Sequence, residues 1–458
     1  MCIRDKHCKH GMHSHAGNQL VSVTSAPGFA ASAVSSGVRG EGVLDLALVA
    51  GVVAGVMDRT VRTGATVRTG PTGPASSAVP SVPTGPADHA VPAGPAPLVS
   101  CVSPMACAGV FTSNLAAAAP VQVSREHLVR SKGWIAAVLL NSGNANAATG
   151  RQGIEDAERL CDEVACLLGV DASQVLTCST GLIGIPLDME RLVPAVSQLA
   201  PALASTPAAS EMAARAIMTT DTIEKHALVT AGGFVVGGIA KGAAMLAPNM
   251  ATMLALLTTD ALVEPPLLSA ALEAAVESSF NHMSVDGCTS TNDSVIAMAS
   301  GRSGRTPSID ELTEALSTVC GSLARQMARD AEGATKLVDV TVTGALSSAE
   351  AMVAARKVAG SLLVKCSLNG EDPYWGRVVS ELGSAGVGFD IEKVSVSYGG
   401  TVVCRGGVAA YHDEEAVSRH MAGAELEITC DLGLGDASGS VVSCDLGHGY
   451  IDENRGTS

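Results

Sequence analysis

Aromatic side chains are nearly missing from this sequence, which has 2 Trp, 4 Tyr and 5 Phe in 458 residues. A core without large rings must be filled by small and branched aliphatic side chains meeting at short distance, which favours layered α/β packing. Positive charge is also scarce. With 29 Lys and Arg against 45 Asp and Glu, the formal charge is −16, a field that repels phosphate backbones and anionic lipid surfaces. No Lys/Arg cluster interleaved with aromatics occurs, so nucleic acid is rejected as a partner. Long apolar runs are absent too. VLDLALVAGVVAGVM (43–57) and LLTTDALVEPPLLSAAL are short or interrupted by charge and proline, below the roughly 20 residues of a membrane span. A soluble protein is expected. The N-terminus carries basic residues without an apolar segment behind them, which does not make a secretory signal, and the cytoplasm is the expected location.

Cysteine, by contrast, is plentiful. Thirteen residues, an odd number scattered singly, fit buried thiols in a reducing compartment and not a disulfide framework.

The length allows a sizeable core and two or three lobes. Residues 1–20 hold Cys2, His7, Cys8, His10, His13 and His15, but their spacing matches no structural zinc pattern, and the stretch is expected to be a disordered tail. No metal site is expected. Residues 70–97 are so rich in Pro and Gly that they predict an extended surface loop joining two strands, VLDLALV and CAGVFTSN. Beyond it the pattern alternates. WIAAVLLNSG predicts a strand, and GIEDAERLCDEVACLLG a helix with Ile154, Leu160, Val164 and Leu168 on one face, stopped by Gly169. QVLTCSTGLIG predicts a strand running into a glycine turn, and ASEMAARAIM a helix. Three more helices are expected in PLLSAALEAAVESSF, in IDELTEALSTVCGSLARQMARD with Ile309, Leu312, Leu316, Val319 and Leu323 in register, and in SAEAMVAARKVAGSLLVK. The last 65 or so residues predict hairpins, VSVSYGGTVVC turning on Gly399 and Gly400 and LEITCDLGLGDASGSVVSCDLG on GDASG. The sum is an α/β mixture with antiparallel pairs, hence not a doubly wound sheet.

GGFVVGGIAKGA fits neither a phosphate loop nor a dinucleotide fingerprint, so its glycines are expected to allow close approach between packed layers. Lys241, flanked by Ala and Gly between apolar runs, is expected to face a cleft and meet an anion there, because an unpaired buried ammonium is costly. Glu332, in RDAEGATK, is a second anomaly, balanced against a plain surface carboxylate. Within KGAAMLAPNMATMLALLTTDA, Thr252 follows the small Ala251. Were the bond between them broken, the freed α-amino group, with an ordinary pKa near 8, could take the threonine's own hydroxyl proton. A strand residue turned toward solvent is the plainer alternative.

KGAAMLAPNMATMLALLTTDA, CSTGLIG, IMTTDT, DGCTSTNDS, RDAEGATK and NGEDPYWGRV occur in the order seen in the glutamate N-acetyltransferase/ornithine acetyltransferase family of arginine biosynthesis, which the chain resembles from about residue 21 onward. The resemblance implies a layered α/β/β/α sandwich with mixed and antiparallel sheets, self-cleaving and amino-terminal-nucleophile-like (DmpA/ArgJ-like). It implies a cut between Ala251 and Thr252, giving an α chain (21–251) and a β chain (252–458) assembled as α2β2. Thr252 would be the nucleophile, Thr180 and Gly181 the oxyanion hole, and Thr219, Lys241, Thr252, Glu332, Asn454 and Ser458 substrate contacts. The implied reaction moves acetyl from N2-acetyl-L-ornithine to L-glutamate through acetyl-Thr252, without a cofactor. Acetyl-CoA stays open as a second donor, and the tail ENRGTS leaves Thr457 and Ser458 as alternatives for the last contact. A self-processing peptidase or amidase and a non-catalytic scaffold are the competing readings.

Overall fold

The computed structural model describes residues 22–53, 102–246 and 253–455. The expectations attached to the tail 1–20, the loop 70–97, the Ala251–Thr252 pair, Thr457 and Ser458 fall outside these residues.

In chain order the first half comprises β1 (Phe29–Val34), β2 (Leu46–Gly51), β3 (Met105–Phe111), α1 (Ala119–Arg130), β4 (Trp134–Ile135), β5 (Ala137–Asn144), α2 (Gly150–Leu168) and β6 (Val175–Leu182). After them come α3 (Met189–Leu199), α4 (Pro207–Ala216), β7 (Lys225–Ala231), β8 (Phe234–Lys241), β9 (Leu254–Thr259), α5 (Pro265–Glu277), β10 (Ser294–Ala299) and α6 (Ile309–Arg329). The C-terminal part adds β11 (Leu337–Ala345), α7 (Ser348–Ala359), α8 (Leu362–Asn369), α9 (Trp375–Gly383), β12 (Ser395–Tyr398) and β13 (Thr401–Arg405). It closes with β14 (Val408–Ala409), α10 (Glu414–Met421), β15 (Glu425–Asp431), β16 (Ala437–Cys444) and α11 (His448–Glu453).

Two sheets stack face to face. The first has the order β1-β2-β5-β6 and the second β4-β3-β10-β9-β8-β7. Alternation along each strand sends successive side chains to opposite faces. Leu46, Leu48 and Ala50 of β2 therefore pack with α1, α2 and α3, while Ala47 and Val49 point into the layer between the sheets. In the second sheet Val236, Leu257 and Val295 pack on α5 and α6, while Ile239, Leu256 and Ile296 meet the first sheet. The result is the expected α/β/β/α sandwich, in which β1–β2, β2–β5, β3–β10 and β8–β9 run antiparallel and β5–β6 and β9–β10 parallel. The middle layer is filled by Ala, Val, Ile, Leu and Met with Phe29 the one aromatic in its cluster. Each fully buried Val, Leu, Ile or Met side chain there contributes about 1.5–3 kcal/mol.

Local signals explain many boundaries. Ser308 accepts from the Glu311 N–H at 3.2 Å while Glu311 accepts from the Ser308 N–H at 2.8 Å, a capping box that starts α6. Leu312, Leu316, Val319 and Leu323 are buried as expected, but Ile309 in the first turn is exposed. Gly169 ends α2 at φ 68°. The glycines of β8 serve close packing: a Cβ on Gly237 would stand 2.1 Å from the Ser22 carbonyl oxygen.

Three expectations need correction. WIAAVLLNSG is divided, since β4 pairs with β3 in the second sheet whereas β5 joins the first. SAEAMVAARKVAGSLLVK is two helices, because Ser361 caps a new one, accepting from the Val364 N–H at 3.4 Å. In the third sheet, ordered β14-β13-β12-β15-β11-β16, β11 lies between β15 and β16, so LEITCDLGLGDASGSVVSCDLG is no hairpin. The turn at Gly399 and Gly400 does join β12 to β13 as a hairpin. This sheet packs on α7, α8, α9 and α10 around its own core, with Tyr398 fully buried. No helix among the described residues is long and apolar enough to cross a membrane.

Candidate active site

Strand β9 lies between β8 and β10, with Leu254 opposite Lys241 on one side and Ser294 on the other. The chain thus enters β9 between the end of β8 and the start of β10. Both flanks of the segment 247–252 are tied by aspartates of DGCTSTNDS. Asp286 accepts from the Met245 and Leu246 N–H groups, the latter at 3.0 Å, and Asp293 accepts from the Met253 N–H at 2.8 Å.

From the end of β8, Lys241 reaches across to the first sheet and donates to Thr180 Oγ1 at 3.1 Å, with both residues buried. Burial lowers the Lys241 pKa, and the carboxylate of Asp221 pulls in the opposite direction. The anion expected to face Lys241 is thus partly supplied by the chain itself. Because Thr180 accepts from the ammonium, its own hydroxyl proton is free to point at another oxygen. The next residue, Gly181, has φ +132°, and a Cβ there would lie 2.3 Å from the Gly143 carbonyl carbon. The register of β5 against β6 shifts at Gly143 and Asn144, directly beside this turn. Only glycine fits, and the strand end can present backbone as well as the Thr180 side chain.

Beneath these groups lies a buried charge network. Asp221 accepts from Lys225 Nζ at 2.6 Å, from the Gly242 N–H at 2.7 Å and from the Thr219 N–H at 3.0 Å. Lys225, fully buried, also donates to Asp330 at 2.6 Å. Burial alone would raise the Asp221 pKa, but Lys241, Lys225 and the hydrogen bonds override it and hold it at about 2. Thr219 is fixed from its other side by Arg39, which donates to the Thr219 carbonyl at 3.3 Å and to the Met218 carbonyl at 2.5 Å. Arg39, Met218, Thr219 and Asp221 line a cavity of about 350 Å³.

Glu332 lies just beyond α6, half-buried, and its N–H donates to the Ala243 carbonyl at 2.9 Å. Its carboxylate field acts on Lys241 and its Oε2 accepts from Asn454 Nδ2 at 2.6 Å. Tyr450 of α11 reaches Asp286 at 3.4 Å. The structure therefore gathers Thr180, Gly181, Lys241, Glu332 and Asn454 around the start of β9, with Thr219 joined through Asp221. Asp221, Lys225, Asp286, Asp293, Asp330 and Arg39 were not foreseen as site residues. Four of them lie inside motifs used above, IMTTDT, DGCTSTNDS and RDAEGATK, and that placement was the available signal.

A layered α/β/β/α protein with a buried lysine–threonine contact between its sheets is the class defined so far. The model of the ArgJ family matches residues 96–456. The arginine biosynthesis bifunctional protein ArgJ of Streptomyces coelicolor is 40% identical over 438 residues, 96% of this chain and 100% of that protein. That of Mycolicibacterium paratuberculosis is 45% identical over 357 residues, 77% and 87%. Among solved structures, ornithine acetyltransferase from Mycobacterium tuberculosis, complexed with ornithine, is 30% identical with a TM-score of 0.35, covering 50% of this chain and 95% of its own. The chain belongs to the ArgJ family. It is an acyltransferase of arginine biosynthesis, which sets aside the peptidase and scaffold readings.

Proposed function

We propose that the chain moves acetyl from N2-acetyl-L-ornithine to L-glutamate by way of an ester on Thr252. The contact of Lys241 with Thr180 supports this reading, because it sets a strand-end hydroxyl and a glycine turn beside the end of β8, and Lys241 pairs with Leu254, which follows Thr252 by two residues in the sequence. Self-cleavage between Ala251 and Thr252 separates residues 21–251 from 252–458 and frees the threonine α-amino group. That amine takes the Thr252 hydroxyl proton as the oxygen attacks the acetyl carbonyl. The Thr180 hydroxyl and the Gly181 N–H donate to the oxyanion. Collapse expels ornithine, which takes the proton back from the α-ammonium. The amine of glutamate then attacks the acetyl ester and leaves as N-acetyl-L-glutamate.

Lys241, Thr219, Glu332, Asn454 and Ser458 hold the amino-acid substrates, with a substrate carboxylate on the Lys241 side. Thr457 is the alternative to Ser458. No cofactor is needed, since the acetyl group stays covalently attached between half-reactions. The relatives' designation as bifunctional supports acetyl-CoA as a second donor to glutamate. We place the enzyme in the cytoplasm as an α2β2 assembly. Thr180→Ala tests the oxyanion site: loss of one such donor slows acyl transfer by about 10²–10³. Steady-state transfer assays on folded protein should find that loss mainly in kcat. Unchanged kinetics would move the oxyanion site elsewhere.

A further inference from the structure

The connection between β1 and β2 carries an arginine that the mechanism above does not use. Within it the buried Asp45 accepts from the Ser36 N–H at 2.6 Å and from the Arg39 N–H at 3.1 Å, and the Ser142 N–H donates to the Asp45 carbonyl at 2.9 Å. The connection is thereby pinned over the end of β5. From there the Arg39 side chain runs across Gly143, whose φ is +97° and where a Cβ would stand 2.6 Å from Arg39 Cγ. Gly143 is also the residue against which Gly181 packs, so Arg39 and the Thr180–Gly181 turn flank one glycine.

The guanidinium ends at the cavity that it lines with Met218, Thr219 and Asp221. Its partners are all neutral, the Met218 and Thr219 carbonyls and the Ser142 hydroxyl at 3.4 Å, and no carboxylate among the described residues pairs with it. The other charges on the cavity wall are already matched. Arg215 meets Glu211 and Glu224, and Asp221 meets Lys225. The Thr219 hydroxyl has no hydrogen-bond partner among the described residues, because Asp221 holds its N–H and Arg39 its carbonyl. A half-buried guanidinium and a free hydroxyl thus share the wall of a cavity of about 350 Å³ as donors without an anionic acceptor. A carboxylate supplies what both lack, a negative charge and two oxygens spaced for the arginine fork.

We propose that Arg39 binds the side-chain carboxylate of glutamate, with the Thr219 hydroxyl beside it, and so selects the acceptor. The proposal rests on the reading of the reaction as acetyl transfer from N2-acetyl-L-ornithine to L-glutamate. Both substrates carry an α-carboxylate, so a contact with that group on the Lys241 side cannot tell them apart. Their side chains differ in sign. Glutamate ends in a carboxylate, which the guanidinium attracts, and ornithine in an ammonium, which it repels. Glutamine has nearly the shape of glutamate without the charge and forfeits the charge-assisted pairing. Arg39 forms no covalent bond and moves no proton; its part is specificity.

Steady-state transfer by Arg39→Gln tests this, because in a ping-pong reaction kcat/KM for each substrate reports its own half-reaction. The value for glutamate should fall about 10- to 100-fold further than that for N2-acetyl-L-ornithine, as expected for one lost hydrogen bond between charged groups. The preference for glutamate over glutamine should shrink by a similar factor, and Arg39→Lys should recover part of the glutamate value. A role limited to holding Thr219 would depress both half-reactions alike and leave the preference intact. That result, or unchanged kinetics, would overturn the proposal. If Arg39→Gln does not fold, Arg39→Lys decides by the same comparison, since equal losses on both substrates contradict a contact made by glutamate alone. Wild-type protein that releases no ornithine from N2-acetyl-L-ornithine would overturn the reading of the reaction, and the proposal with it.

Discussion

Thr252→Ala should abolish two separable events, leaving the chain whole and acetyl transfer at background. The side chain removed is both the oxygen that opens the Ala251–Thr252 bond and the one that carries acetyl between substrates. In a comparable covalent catalyst, loss of the nucleophile costs on the order of 10⁶ in kcat. Lys241 holds Thr180, and Asp293 holds Met253, through groups that the substitution does not touch, so folding should survive. Thr252→Ser keeps the hydroxyl on a less constrained χ1 and should retain part of each activity. The two events are read separately, by electrophoresis with N-terminal sequencing and by ornithine release. Transfer that persists in Thr252→Ala would refute covalent catalysis at this residue even if cleavage were lost.

Lys225→Met should produce the largest loss of stability available from a single change near the site. The ammonium is buried between Asp221 and Asp330, at 2.6 Å from each. Breaking a buried ion pair by removing one partner costs about 3–5 kcal/mol, because the remaining charge stays desolvated. The pH dependence has a definite sign. Asp221 is held at about 2, below its ordinary 3.8, so its contribution is present above pH 4 and is lost as pH falls through about 2. Without Lys225 the depression shrinks and acid unfolding should begin at a higher pH. Thermal melts across an acid series measure both effects. The substitution should also weaken substrate binding, because Asp221 fixes the Thr219 N–H and the Gly242 N–H beside Lys241.

The same network marks where sequence reasoning stops. Lys225 and Asp330 are 105 residues apart, and nothing in the local pattern of either predicts that a folded β7 brings them together. Local order was legible because its causes are local. The stop at Gly169 needs only a left-handed residue after a periodic run, and the β12–β13 turn needs only two adjacent glycines. The adjacency of β15 and β16 looked equally local and was not. Strand β11 is inserted between them, parallel to β15 and antiparallel to β16, and a parallel partner arrives through a long connection that the hairpin pattern does not contain. WIAAVLLNSG failed for a related reason, since one apolar run can serve two sheets when the chain steps between layers at Ala136.

For the site, the anomaly of Lys241 was visible as a charge among apolar residues, and the family motifs supplied Thr180, Gly181, Glu332 and Asn454. Asp293 was hidden because an aspartate in TNDS has the appearance of a turn residue. Its burial, and its hold on Met253, follow only from the parallel pairing of β10 with β9.

Mass spectrometry of wild-type protein mixed with N2-acetyl-L-ornithine in the absence of glutamate tests the central claim most directly. The account predicts an acetyl group on the peptide that begins Thr252-Met253-Leu254, removed when glutamate is added and recovered as N-acetyl-L-glutamate. An enzyme that turns over both substrates while that peptide remains unmodified, or while the acetyl group resides on a different residue, would contradict it.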